Sequence, residues 1–186
     1  MFNKIIANNL KEFRSSRSWS LARAAAETGV SKAMLGQIER GESSPTMATL
    51  WKITQGFHLP MSVLLEPHSS SPQALEHQSK KQLSFDDNLQ FRVLFAFDPT
   101  LRSEMFSHQM APGKTHLSDP HEIGVIEDII VIEGALEIKF TEQWQLLLAG
   151  ETLRFKADQE HGYRNSTAEI VIFHNVIHYP KTIADH

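Results

Sequence analysis

Apolar residues recur at helical spacing over about the first 65 residues and alternate with polar ones beyond residue 90, so the chain changes its structural period once. Ile6, Leu10 and Phe13 mark one face of a first helix. Leu21, Ala24 and Ala25 mark a second, which closes at Gly29, with Thr28-Gly29-Val30 as the tight turn. A third helix spans little more than residues 32 to 40: Ser31 is its N-cap, Val30 and Leu35 form a hydrophobic staple, and Gly41 stops it. At 100° per residue, Met34, Leu35 and Ile38 share a side expected to pack, and Lys32, Ala33, Gly36, Gln37 and Arg40 take the free side. Pro45-Thr46 opens a fourth helix carrying Leu50 and Ile53, Gly56 to Pro60 ends it, and Met61 to Leu65 adds a last turn or two. Five short helices suffice for a small all-α domain.

Residues 67–88 begin Pro67-His68-Ser69-Ser70-Ser71-Pro72 and show no sustained period, which predicts a linker between domains 1–66 and 89–186. Beyond it, Phe91–Phe97, Glu104–Met110, Glu127–Ile132, Leu136–Phe140, Gln143–Leu148, Thr152–Phe155, His161–Asn165 and Glu169–Tyr179 are short β-rich runs. About eight strands at this spacing imply a β-sandwich or small barrel. Trp144 and the Phe-rich run 91–97 read as core; His108, His174 and His178, taken singly, read as packed or surface residues.

Charge divides the same way. Residues 1–66 hold eight Lys or Arg against five Asp or Glu, a net of +3, whereas residues 67–186 hold ten against seventeen, a net of −7. Only the N-terminal part has the positive bias that nucleic acid calls for, and a modest bias favours two linked copies on DNA, hence a homodimer on a near-palindromic site. No apolar run approaches a membrane span, and Met1 to Leu10 lacks the basic start and apolar core of a signal peptide, so a cytoplasmic protein is expected. Without cysteine, disulfides and thiolate metal sites are excluded, leaving His, Asp and Glu as ligands.

Trp19-Ser20-Leu21, Gly29-Val30-Ser31, Gln37-Ile38-Glu39-Arg40-Gly41, Pro45-Thr46 and Thr49-Leu50 together resemble the XRE-type helix-turn-helix, a five-helix lambda-repressor-like DNA-binding domain. The resemblance covers about residues 5–66. It implies that the third helix enters the major groove, with Lys32, Ala33 and Gln37 as candidate base contacts. Ser20 and Arg40 suit phosphates, Arg23 the DNA backbone where relatives often carry a Gln near the start of the second helix, and Ser31 lies at the same end of the reading helix. Glu39 fits better as a structural partner for the following loop or a nearby Arg than as a base reader.

Two later spacings resemble the cupin motifs over about residues 90–180. They are Gly113-x5-Asp119-x-His121-x5-Glu127-x6-Gly134 and Gly150-x5-Lys156-x-Asp158-x2-His161-x3-Asn165. The departures are Asp119 at the first histidine position, His121 one residue further from Glu127 than usual, and Lys156 and Asp158 where Pro and Gly are customary. The resemblance implies a double-stranded β-helix, or jelly-roll barrel, whose mouth holds one divalent metal on His121, Glu127 and His161. His116 or Asp119 would supply a fourth ligand, or water or effector would take that position. Zinc comes first, with iron, manganese or nickel also suited to these donors. Alternation places Glu127 with Ile129 and Val131 and turns Asp128 away; His161, Tyr163 and Asn165 likewise share a face. Tyr163, Asn165 and His174 are the candidate effector-pocket residues.

The order of the two domains is similar to that of XRE-cupin regulators, in which the barrel senses a small metabolite and the helices bind a promoter. The helix Val30–Arg40 and the segment His121–Glu127 lean towards relatives tied to sulfur metabolism, which suggests an amino acid or sulfur compound as effector. A sensor is not an enzyme. The competing roles are a metal-dependent cupin dioxygenase or isomerase fused to a DNA-binding domain, with Tyr163 or His116 as base, and a barrel that only dimerises.

Overall fold

The computed structural model describes residues 2–66, 83–84, 89–140 and 142–181. The chain forms two compact units that divide between residues 77 and 78. Most of the stretch read as a linker lies outside the described residues, but Leu83–Ser84 within it pairs with Gln90 and Phe91 as a short strand. No helix among the described residues is long and apolar enough to cross a membrane.

In the first unit, α1 (Phe2–Ser16), α2 (Leu21–Thr28), α3 (Lys32–Glu39), α4 (Met47–Gly56) and α5 (Met61–Leu65) follow the predicted order. Each of the middle helices starts on a hydroxyl cap: Ser20, Ser31 and Thr46 accept from the backbone N–H of Arg23, Met34 and Thr49. Gly29 ends α2 in the left-handed region at φ +66°, which a residue with a side chain rarely adopts. Ile6, Leu10, Leu35, Ile38, Leu50, Ile53, Phe57 and Leu64 form the core, and α3 packs against α1 and α2. At Gly56 a Cβ would stand 2.6 Å from the Glu27 carbonyl oxygen, so only glycine lets α4 approach the end of α2 this closely. Asn9, buried in α1, donates its amide to the carbonyls of Val63, Leu64 and Glu66, which ties down the end of α5.

The packed face of α3 differs from the predicted one. Leu35 and Ile38 are buried as expected, but Gly36 is buried too, and Met34 is 36% exposed. Gly36 is covered by the Leu21 side chain of α2 and by the Arg40 guanidinium, whereas Met34 lies towards Ser43 at the exposed edge.

The second unit is a jelly-roll sandwich of antiparallel strands: β1 (Leu83–Ser84), β2 (Gln90–Asp98), β3 (Ser103–Met110), β4 (Thr115–Ser118), β5 (Ile126–Glu133), β6 (Ala135–Lys139), β7 (Trp144–Leu148), β8 (Thr152–Lys156), β9 (His161–Arg164) and β10 (Val171–His178). One sheet runs β1-β2-β3-β10-β5-β8 and the other β4-β9-β6-β7. β1 and β4 go beyond the eight predicted runs, since two and four residues carry too little alternation to read in advance. Alternate residues of β3, β5 and β10 point inward: Phe106 and Met110, Ile129 and Val131, Phe173 and Ile177 are buried between the sheets. Two residues read as core sit differently. Phe95 is 66% exposed beside a register shift in β2, and Trp144 lies half-buried under the guanidinium of Arg164, 4.3 Å from its ring.

Candidate functional site

α3 presents Lys32, Ala33 and Gln37 to solvent over the buried Leu35 and Ile38, with Ser31 and Arg40 exposed at its two ends. Ser20 and Arg23 are exposed at the start of α2. Both serines are already bound as caps, and a hydroxyl that accepts from a backbone N–H still has its own proton to donate. Arg40 pairs with Glu42 at 2.7 Å and Arg23 with Glu27, both at the exposed surface. Glu39 has a nearby arginine as partner: Arg14 grips both carboxylate oxygens, at 2.6 and 2.9 Å, and donates to the Trp19 carbonyl as well. This fork, bonded first and foremost to Glu39, raises the Arg14 pKa, fastens α1 to α3 and neutralises the carboxylate behind the exposed row.

In the barrel, β5 carries Glu127 on the inner face beside Ile129 and Val131 and turns Asp128 outward to Arg154 and His178. β9 supplies His161 from the facing sheet, and the loop before β5 supplies His121, whose backbone N–H is held by the Ala157 carbonyl at 2.8 Å. The potential ligand atoms of His121, Glu127 and His161 all lie within 4.8 Å of one another. Glu127 Oε1 stands 2.5 Å from His121 Nε2 and 3.5 Å from His161 Nε2, and the two rings meet edge to face at 4.7 Å. His161 Nδ1 lies 3.0 Å from the Gln159 carbonyl, an acceptor, so Nδ1 carries a proton and in the neutral ring Nε2 keeps the lone pair. That Nε2 is buried without a hydrogen-bond partner.

Burial would raise the Glu127 pKa, but the two imidazoles hold it well below the ordinary carboxylate range. Burial pushes His121 down and outweighs its bond to Glu127. Burial also works against protonating His161, yet the adjacent Glu127 leaves that pKa raised. Two buried imidazoles and a carboxylate, with one imidazole nitrogen oriented but unpaired, fit a borderline divalent cation.

The remaining candidates separate. His116 and Asp119 stand outside the cluster; Asp119 is exposed, and His116 sits on β4 opposite Tyr163. Gly162 lets β4 lie this close, since a Cβ there would meet the His116 carbonyl oxygen at 2.8 Å. Tyr163 is in the site and donates its hydroxyl to Glu127 Oε2. Asn165 is not: its amide donates to the Met110 and Glu169 carbonyls and its oxygen accepts from Thr167, so it clamps the turn into β10. His174 does not line this site either, because alternation along β10 turns Phe173 and Asn175 inward and His174 to the opposite face. Asn175 was missed by sequence reasoning; its Nδ2 donates to Glu127 Oε2 at 3.0 Å. The available clue was an asparagine in phase with the apolar Phe173 and Ile177 on one strand face. His108 is a packed residue, stacked on Phe173 at 4.9 Å, its pKa lowered by burial to about 3.

Comparison with known proteins bears on both units. Residues 10–64 match the helix-turn-helix family model and residues 106–177 the cupin-domain model. The chain is 47% identical over 180 residues to the HTH-type transcriptional regulator SutR of Escherichia coli, covering 96% of this chain and 97% of that protein. It is 25% identical over 169 residues to the E. coli HTH-type transcriptional regulator PuuR, covering 87% and 88%. The crystal structure of an HTH_3 family transcriptional regulator from Vibrio cholerae superposes with a TM-score of 0.82 at 45% identity, covering 97% and 98% of the two chains.

Proposed function

The chain belongs to the XRE-type helix-turn-helix transcriptional regulators that carry a cupin domain, and on that premise we propose how the two parts share the work. Residues 1–66 form the DNA-binding domain, and the barrel, which includes the short strand Leu83–Ser84 at the edge of its larger sheet, forms the sensor. α3 of each protomer in a homodimer enters the major groove of a near-palindromic operator. Lys32, Ala33 and Gln37 read base edges through a guanine contact, a thymine methyl and a bidentate adenine pair. Ser20, Arg23, Ser31 and Arg40 hold the phosphates that set this register.

His121, Glu127 and His161 hold one divalent cation, zinc by preference, and a small metabolite such as an amino acid or sulfur compound completes the site. The bound cation supplies an electrophilic centre to which an anionic or sulfur-bearing metabolite can coordinate. Metabolite binding changes operator affinity only by favouring one dimer geometry over another, because equal affinity for both shifts nothing.

The observation that carries this proposal is the pairing, in one chain, of an exposed polar row on α3 with a buried His-Glu-His cluster that fits a cation. A sensor also accords better than an enzyme with the commitments of the site. Tyr163, a candidate base from sequence, is tied to Glu127 as a donor, and its pKa is pushed well above the ordinary phenol value by burial and the Glu127 charge. Metal analysis of the purified protein and a thermal-shift screen of amino acids and sulfur compounds test this reading. Bound metal and a selective shift without turnover are expected. Turnover of the shifting compound would make the barrel an enzyme, and neither metal nor shift would leave it a dimerisation module.

A further inference from the structure

Glu127 has two oxygens in unlike surroundings. Oε1 faces the imidazole nitrogens of His121 and His161, at 2.5 and 3.5 Å. Oε2 faces away from them and accepts two hydrogen bonds, from the Tyr163 hydroxyl on β9 and the Asn175 amide on β10. The donors come from opposite sheets, so they fix the carboxylate from two directions. That matters because the last torsion of a glutamate is broad and does not hold its own orientation. Each carboxylate oxygen has two lone-pair sites, and two donors fill those of Oε2.

We infer that Tyr163 and Asn175 are positioning residues that restrict Glu127 to binding a cation through Oε1 alone. This rests on the proposal that His121, Glu127 and His161 hold a metal. The arrangement selects by chemistry: one carboxylate oxygen with two imidazole nitrogens suits compact first-row divalent cations. Calcium, which takes six to eight oxygens and often a bidentate carboxylate, is disfavoured.

Asn175 shows that the arrangement has a cost in stability. Turned the other way, its carbonyl oxygen would oppose a carboxylate, so the NH2 group must face Glu127. Oδ1 is then left buried without a hydrogen-bond partner, in a strand whose inward neighbours are Phe173 and Ile177. An apolar side chain would avoid that penalty. Position 175 therefore serves the carboxylate at the expense of the core.

The test uses the full chain, stripped with chelator and titrated with Zn2+ and Co2+, for the native protein, Tyr163→Phe and Asn175→Leu. Tyr163→Phe removes a single oxygen atom and keeps the ring packing. Each variant is expected to bind about 10- to 100-fold more weakly, with a changed visible spectrum of bound Co2+. The metal-free melting temperature should fall modestly for Tyr163→Phe, which takes one donor from a buried carboxylate. It should fall less for Asn175→Leu, which also relieves the unpaired Oδ1, so the Co2+ spectrum carries the distinction. Native affinity and a native Co2+ spectrum in both variants would overturn the inference. So would weaker binding that merely follows a lower metal-free melting temperature with the spectrum unchanged, which is the mark of a structural role. If the native protein takes up neither ion, the metal reading itself fails, a result distinct from uptake that the variants leave untouched.

Discussion

Lys32, Ala33 and Gln37 stand in water on α3, whereas Glu127 and His161 are sealed inside the barrel at 1% and 2% exposure. The first group costs little to display, because its hydrogen bonds go to water until a partner arrives. The second would be expensive to bury unless each charge or lone pair had a partner or a ligand. Where charge lies under the reading helix, at Glu39, the fold neutralises it with Arg14; where it lies in the barrel, an imidazole nitrogen is left oriented and unpaired. On the proposed function, the first surface meets DNA from outside and the second holds a ligand within.

His161→Ala breaks this contrast most severely. It removes one of the three donors, so stoichiometric metal uptake should be lost while the helical unit, and its sequence-independent DNA binding, remain as in the native protein. Metal content by mass spectrometry, with DNA binding as the control, checks it. Native metal content would remove His161 from the site.

Glu39→Ala acts on the other side. It removes the carboxylate that Arg14 grips, leaves the guanidinium only its bond to the Trp19 carbonyl, and should destabilise the helical unit by about 1 to 2 kcal/mol, between the cost of breaking an exposed pair and a buried one. Urea unfolding should show an earlier helical transition, with barrel signals unmoved.

Gln37→Ala is narrower. A loss of about 1 to 3 kcal/mol is expected at one base position in each half-site, with non-specific binding nearly unchanged. Equal loss on all sequences in competition binding would contradict the assignment.

Acid sharpens the comparison least. Metal must displace any proton on His161, whose pKa Glu127 raises against the effect of burial, so affinity should fall as pH drops through that raised value. With one proton displaced the limiting slope is about tenfold per pH unit. His121, held low by burial, joins only at lower pH. Metal titrations between neutral and mildly acidic pH read this directly, and a flat profile would exclude a protonated His161.

These differences also explain what could be read in advance. The helical unit was legible because its determinants are local: Ser20, Ser31 and Thr46 cap from within a turn of the helices they start, and Gly29 ends α2 where it stands. The packed face of α3 was not, since the burial of Gly36 depends on Leu21 of another helix and on how Arg40 folds back, which local spacing does not encode. In the barrel, motif spacing picked out His121, Glu127 and His161, and alternation separated Glu127 from Asp128. The partners of Glu127 depend on strand register across two sheets, which spacing does not encode. Asn175 was therefore missed, and Asn165 and His174 were placed in a pocket when one clamps a turn and the other faces outward.

Selection of DNA sequences from a random or genomic pool by the full chain at low salt, native beside Gln37→Ala, tests most directly whether α3 reads DNA. The native protein should enrich an inverted repeat with half-sites about one helical turn apart, and Gln37→Ala should relax one position in each half. No enriched sequence from the native chain, with or without metal and candidate metabolites, would contradict the account.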